Sequence, residues 1–186
     1  MRKWVLIPIT RLGQQPQGLF LEMVSEPAGW GGVNYQALNY HGLSAAVAVT
    51  ERWVKKLGGF SLVGNKVFLR CHLLNLNGLK AIGLGLGLAA FMQHKRCAYQ
   101  KIIALGDVDG TNPELPVLSS AYLDTEIAAI LALGKQPIPV PVFLHRASLQ
   151  PCQTALGQQL AALNMVLKPV STFYEALAVL GLSPKD

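Results

Sequence analysis

The chain has few charged residues and few cysteines. Of its 186 residues, 14% are charged and 51% are hydrophobic, and the three cysteines are Cys71, Cys97 and Cys152. A composition this apolar lies far from that of disordered proteins. An odd number of cysteines without a CxxC pair argues against a disulfide framework and against a zinc site. We therefore expect a folded protein of the reducing cytoplasm, with no metal and no cofactor.

Long hydrophobic runs are also missing. The first residues, MRKWVLIPIT, contain a short apolar run, but Pro8 interrupts it and no small-residue cleavage site follows, so we expect no signal peptide. The longest uncharged apolar run, between Lys80 and His94, is shorter than the roughly 20 residues that span a bilayer. The sequence predicts one cytoplasmic domain, residues 1–186, without a membrane span.

Basic residues outnumber acidic ones, with 16 Lys and Arg against 10 Asp and Glu and a net charge of +6. The densest basic clusters are 55-KK-56 and 94-HKR-96, each where a helix is predicted to end. Cations at a helix C-terminus complement the helix dipole, which explains both clusters without a ligand. A nucleic-acid partner is therefore not expected, although a basic nucleic-acid-binding module stays open as an alternative.

Segments with strand and helix patterns alternate along the chain and predict an α/β sandwich, with helices packed on a mixed sheet. The predicted strands are 4–10, 18–24, 66–74, 101–108, 138–144 and 166–170. The predicted helices are 42–59, 79–94, 119–133, 150–163 and 171–181. The first two strands should form a hairpin, and the last helix should begin at a Ser/Thr cap.

The series Gly83, Gly85 and Gly87 admits two interpretations. Closely spaced glycines can let backbone N–H groups approach a phosphate at a helix start. Here they fall inside an apolar run, and neither GxxxxGK[ST] nor the full GxGxxG spacing is present. We expect them instead to let a helix lie close against a sheet.

Several other polar residues could carry chemistry. Cys71 and His72 are neighbours on a predicted strand and point to opposite faces, so they cannot grip one metal together. Asp107 and Asp109 could ligate a cation, but a turn at Asp109 is the commoner use. His145 and Arg146 could bind an anion at a strand end. Hydroxyl nucleophiles would need a nearby base; the candidates are Ser44, Ser119, Ser120 and Thr125.

The order of several short strings resembles the proteolytic domain of the Lon protease family. The strings are 44-SAAVAVTERWVKK-56, 67-VFLRCHLL-74, 77-NGLKAIGL-84, 103-IALGDVDG-110, 116-PVLSSAYLDTEIAAILALG-134, 139-PVPVFLHR-146 and 169-PVSTFYEALAVL-180. They cover nearly the whole chain. The stretches 82-IGLGLGLAA-90 and 103-IALGDVDG-110 are also similar to the N-terminal domain of magnesium-chelatase-like competence proteins. The resemblance implies the mixed-sheet fold of the Lon proteolytic domain.

The Lon family cleaves peptides with a serine nucleophile and a lysine general base. In the resemblance, NGLKAI takes the place of the family's DGPSAG motif and puts Lys80 at the serine position. Counting back eight residues from Gly134 puts Glu126 at the position of the base lysine. Both members of the dyad are replaced, so the resemblance implies no Lon-type peptidase activity. It also places Lys80 and Glu126 within hydrogen-bond reach, where they would form an ion pair.

These observations predict a catalytically inactive Lon-like domain that serves as a binding or scaffolding module. A protein partner or self-association is expected, and any ATPase would be a separate chain, because the sequence has no Walker motif. Besides the nucleic-acid-binding module, one more alternative stays open: a hydrolase or peptidase with relocated catalytic residues, such as Ser119, Ser120 or Thr125.

Overall fold

The protein has an α/β fold, seen in a computed structural model that describes residues 3–11, 17–25, 43–59, 67–70 and 82–184. Its strands are β1 (Lys3–Arg11), β2 (Gln17–Ser25), β3 (Val67–Arg70), β4 (Lys101–Ala104), β5 (Asp107–Val108), β6 (Val117–Leu118), β7 (Val140–His145) and β8 (Met165–Val170). Its helices are α1 (Leu43–Gly58), α2 (Gly83–His94), α3 (Leu123–Ala132), α4 (Gln153–Ala162) and α5 (Phe173–Val179). A short 3-10 helix, Arg146–Leu149, precedes α4.

One mixed sheet contains six of these strands in the order β3-β2-β1-β4-β7-β8. The pairs β1–β2 and β2–β3 are antiparallel, which confirms the predicted hairpin. The pairs β1–β4, β4–β7 and β7–β8 are parallel. β5 and β6 form a separate antiparallel ribbon. Because the four parallel strands end at one edge of the sheet, the side chains that follow them gather there.

Helices cover both faces of the sheet. Val5, Ile7 and Ile9 of β1 face a core that also contains residues of α1, α2 and α5. Leu6 of β1 faces a second core, shared with α3 and α4. Successive strand side chains point to opposite faces, so a single apolar strand serves both cores. The described residues therefore form three layers.

The connections between parallel strands differ in hand. Two antiparallel pairings and one parallel pairing make β3 parallel to β4. α2 joins these two strands on one face, whereas α3 and α4 join β4, β7 and β8 on the other. All three steps advance in the same direction across the sheet. Crossover connections that advance in the same direction over opposite faces of a sheet have opposite handedness. Either the connection through α2 or the connections through α3 and α4 are therefore left-handed, which is rare between parallel strands.

α2 is buried along almost its whole length. Its glycines leave room for side chains of the sheet and of the helices beside α2 in the same layer. A β-carbon added at Gly85 would collide with Ile7 of β1, and one at Gly87 would collide with Trp53 of α1 and Phe173 of α5. The packing interpretation of the glycine series is confirmed, because side chains of neighbouring elements fill the space that each glycine leaves.

Some predicted boundaries are wrong. The helix expected from Ser119 begins at Leu123, because the residues before it form a turn in which the N–H of Tyr122 donates to Ser120 Oγ. The strand expected over 101–108 breaks at Gly106, which has φ of +121°. Its last two residues pair with β6, a strand that the sequence did not predict.

Other expectations agree with the structure. The α/β class is confirmed, and α5 begins at Thr172, whose Oγ1 accepts a hydrogen bond from the N–H of Glu175 at 3.2 Å. Residues 71–81, which include the ends of a predicted strand and of a predicted helix, lie outside the described residues. In the part of the chain that is described, no helix has the length and apolar character needed to cross a membrane.

Candidate functional site

Glu126 is a carboxyl buried at the start of α3, with 4% of its surface exposed. Thr10, near the end of β1, donates a hydrogen bond from Oγ1 to Glu126 Oε1 at 3.4 Å. The other carboxyl oxygen, Oε2, is buried and has no hydrogen-bond partner among the described residues. Such an atom is rare in folded proteins and marks a place where a donor or a cation would be stabilised.

The surroundings of Glu126 favour its protonated form. Burial raises the pKa of the carboxyl, and hydrogen bonds from the hydroxyls of Ser120 and Thr10 offset part of that increase. Two hydroxyl donors stabilise the charged form, but they do not replace the lost hydration. The site is therefore a carboxyl that takes up a proton more readily than an exposed glutamate and lies between two hydroxyl groups.

A glycine allows α3 to press Glu126 against the sheet. A β-carbon added at Gly18 of β2 would lie 2.5 Å from Ala129 Cβ and 2.8 Å from the carbonyl oxygen of Thr125. Both distances are too short for a real contact, so only glycine permits this approach of helix to strand. Thr10 belongs to the same face of β1 as Leu6, which packs with α3 and α4.

Asp107 is a second carboxylate at a helix start, and its role is structural. Its Oδ1 accepts hydrogen bonds from the N–H of Gly83, the first residue of α2, at 3.0 Å and from the N–H of Val108 at 2.9 Å. A β-carbon at Gly83 would collide with that oxygen. The place where a phosphate would bind at the start of α2 is thus filled by the chain's own carboxylate.

The two carboxylates lie at the same end of the sheet. Asp107 pairs with Leu118 across the β5–β6 ribbon. Ser120, which hydrogen-bonds Glu126, follows Leu118 by two residues. This is the end at which the parallel strands finish, where ligands of α/β proteins usually bind.

The structure uses the other polar candidates elsewhere. Asp109 Oδ1 accepts from the N–H and the hydroxyl of Thr111, which confirms the turn interpretation. His145 Nδ1 lies 2.7 Å from Ser148 Oγ, and Arg146 donates to Glu175 at 3.0 Å. The Glu175 carboxylate neutralises the Arg146 guanidinium, which disfavours an anion beside it.

Some predicted site residues cannot be placed. Lys80, Cys71 and His72 lie outside the described residues, and of Ser44 only the backbone, in α1, is described. Ser119 is exposed, with its hydroxyl donating to the carbonyl of Ser120. Over the described ranges, no three His, Cys, Asp or Glu side chains come together in a way that could hold a metal ion.

Comparison with known proteins adds no family assignment. No protein-family model matches the chain, and a search of curated proteins finds no match.

The sequence alone does not reveal the roles of Thr10, Gly18 and Asp107. It places Thr10 and Gly18 in strands and offers Asp107 as a cation ligand, whereas the structure shows that Asp107 accepts from the start of α2. An isolated glycine inside an apolar strand often marks a close approach of another element, so Gly18 carried a readable signal. The partner of Thr10 depends on how α3 is placed, which no local pattern reveals.

Proposed function

We propose that the chain is a Lon-like domain without a catalytic dyad, which acts as a binding or scaffolding module rather than as a peptidase. The α/β framework, with a buried helix opening just after Lys80, supports this proposal. The observation that carries it is the buried Glu126, at the position that the resemblance gives to the base lysine.

The chemistry of the two replacements argues against peptide cleavage. The family attacks an amide with a hydroxyl, and an ammonium at position 80 offers no such nucleophile. A lysine base works because desolvation lowers its pKa, whereas burial raises the pKa of Glu126 and disfavours its charged form, the form that accepts a proton. Lys80 therefore cannot replace the serine, and a base at Glu126 would find no hydroxyl at position 80 to activate.

An ion pair between Lys80 and Glu126 stays a prediction. The open Oε2 of Glu126 is the atom that an ammonium group would satisfy. If the pair is buried, removing one partner should cost on the order of 3 kcal/mol, and removing both should cost much less. Unfolding of Lys80→Met, Glu126→Gln and the double variant in urea measures this coupling. Additive effects would show that the pair does not form.

A protease assay tests the loss of activity. The protein should release no peptides from unfolded casein, either alone or with a separate Lon-type ATPase and ATP. The matched control is Lys80→Ala, which should behave like the unchanged protein. Cleavage that disappears in Lys80→Ala would overturn the proposal.

One observation favours a hydrolase as a second candidate. The Ser120 hydroxyl hydrogen-bonds the Glu126 carboxyl, and a carboxylate can accept the proton of an attacking hydroxyl. Against this, Ser120 is only 9% exposed and its Oγ already accepts from the N–H of Tyr122 at 3.1 Å.

A fluorophosphonate probe separates the two candidates. A hydrolase using Ser120 would be labelled, and Ser120→Ala and Glu126→Gln would both abolish the label. Ser119→Ala, which alters the exposed neighbour, is the control that should keep it. We expect no labelling of the unchanged protein, since a binding module needs no activated hydroxyl.

A further inference from the structure

The described helices α2 and α3 end where the parallel strands begin. Lys3, the first residue of β1, donates hydrogen bonds to the carbonyl oxygens of Met92 and Lys95 at the end of α2. Lys101, the first residue of β4, donates to Gln136 just after α3 at 2.7 Å. Both helices therefore run opposite to β1 and β4.

α1, α4 and α5 point the same way. Gly83 faces Thr50 and Gly87 faces Trp53, so α1 runs parallel to α2. The end of α4 meets the end of α3, where the N–H of Gln136 donates to the carbonyl of Leu163. The carbonyl of Leu180, after α5, lies 4.0 Å from the sulfur of Cys97, which follows α2.

This alignment gathers most of the described cations at one end of the molecule, while Arg11, Arg146 and Lys168 lie at the other end. We call the end where β1 and β4 begin the basic end; its cations are Lys3, Lys55, Lys56, Lys95, Arg96, Lys101 and Lys135. At the other end, Asp107 accepts from the start of α2 and acidic residues occupy the first turns of α3 and α5. Within the described ranges, no Asp or Glu lies in the last turn of a helix. The charged residues at the ends of α1, α2, α3 and α5 agree with the dipole rule, and α4 has none at either end. Because the helices are aligned, their dipoles add in one direction.

We infer that the basic end binds nucleic acid through its phosphates. The clusters 55-KK-56 and 94-HKR-96 are far apart in sequence, but the parallel α1 and α2 bring them to one end of the first helix layer. Duplex DNA carries one charge per roughly 1.7 Å, a density that engages several cations at once. The net charge of +6 attracts such a polyanion at long range and opposes association of two copies.

The surface suits nucleic acid better than a membrane. Peripheral membrane helices place a broad apolar face beside their cations. The exposed Ile138 and Val166 at this end lie by β7 and β8 rather than beside the end of α1. Lys55, Lys56 and Arg96 are exposed side chains that emerge from helix ends, as a phosphate-binding surface requires.

Fluorescence anisotropy of a short labelled DNA duplex over a salt series tests the inference. The key variant is Lys55→Gln with Lys56→Gln. The matched control is Arg146→Gln with Lys168→Gln, which removes the same amount of charge from residues at the other ends of β7 and β8. Circular dichroism confirms that both variants fold.

The dependence of DNA affinity on salt concentration distinguishes binding at the basic end from a general effect of net charge. Each phosphate that is neutralised contributes about −0.9 to the slope of log K against log salt, so the double lysine variant should flatten it by about 1.8. The control should leave the slope unchanged. The inference is overturned by equal weakening of both variants, by no DNA binding at low salt, or by binding to phosphatidylserine vesicles without DNA binding. None of these outcomes depends on whether the protein cleaves peptides.

Discussion

Asp107 and Glu126 are carboxylates at the starts of two helices, at the same end of one sheet, and their surroundings differ. Asp107 accepts two backbone N–H groups, one of them from the first residue of α2. Glu126 is nearly inaccessible, has hydroxyl donors only, and keeps one oxygen without a partner among the described residues. A glycine makes each arrangement possible, Gly83 for the first and Gly18 for the second.

This difference separates a carboxylate that stabilises the fold from one that is available for chemistry. Backbone donors at a helix start stabilise the charged form and the helix together. Burial without enough donors destabilises the charged form of a carboxyl, and the pKa of Glu126 is raised as a result. A carboxylate at the start of a helix is therefore not by itself a site; the number of donors around it distinguishes Glu126 from Asp107.

The largest expected effect comes from removing the helix cap. Asp107→Ala should lower the free energy of unfolding by about 2 kcal/mol, because the N–H groups of Gly83 and Val108 lose their acceptor. Asp107→Asn keeps an acceptor oxygen and should recover most of the loss. Urea unfolding followed by circular dichroism measures both, with Asp109→Ala in the neighbouring loop as the control. A loss no larger than that of the control would remove the structural role of Asp107.

Filling the space at Gly18 should destabilise the protein slightly less than Asp107→Ala does. Gly18→Ala places a β-carbon against Ala129 and the carbonyl of Thr125, and moving α3 away should cost about 1 to 2 kcal/mol. The displaced helix should also give water access to Glu126 and bring the pKa of its carboxyl closer to the ordinary value.

The control for this substitution is Gly157→Ala in α4, where the nearest atom to an added β-carbon is 3.9 Å away. That change should be neutral or stabilising, because alanine restricts the unfolded chain. Thermal unfolding of both variants makes the comparison. Equal stability of the two would contradict the close approach of α3 to β2.

The effect of Glu126→Gln should depend on pH. Because the pKa of Glu126 is raised in the folded state, its contribution to stability is complete below the ordinary value of 4.5 and is lost as pH rises through the folded value. Glutamine does not titrate and avoids this loss. Without an ammonium group on Oε2, the variant should match the unchanged protein near pH 4 and be more stable by about 1 kcal/mol near pH 7.

Urea unfolding at a series of pH values measures the difference. The same experiment tests the ion pair with Lys80. An ammonium group on Oε2 would lower the pKa of Glu126 and reverse the sign of the stability difference between the variant and the unchanged protein. The unchanged protein would then lose stability on acidification, and Glu126→Gln would be the less stable protein at neutral pH. That result would establish the ion pair and contradict a raised pKa.

The smallest effect is expected at Thr10. Thr10→Val keeps the shape of the side chain but removes the hydrogen bond to Glu126 Oε1, so the pKa of that carboxyl should rise further. NMR titration of the Glu126 side chain reports the midpoint directly. The exposed neighbour variant Ser119→Val should leave the midpoint unchanged, and an unchanged midpoint in Thr10→Val would show that the hydroxyl contributes nothing.

The α/β class and the packing role of the α2 glycines could be read from the sequence, because both follow from local periodicity and composition. The start of α3 could not, since Ser120 caps a turn that competes with the helix. The β5–β6 ribbon could not be predicted from the sequence, because it depends on the bend at Gly106 and on pairing between two separate segments. The donors around Glu126 come from β1 and from the turn before α3, so only the assembled fold reveals them.

The burial of α2 also determines how its amide hydrogens exchange with solvent. Its amide groups are surrounded by the sheet, α1 and α5, so no local fluctuation can expose them to solvent. Their hydrogen exchange should proceed only through complete unfolding and report the global free energy, while α4, with one exposed face, exchanges through smaller openings. We therefore expect the helix that contains the glycines to be among the slowest-exchanging segments of the described chain.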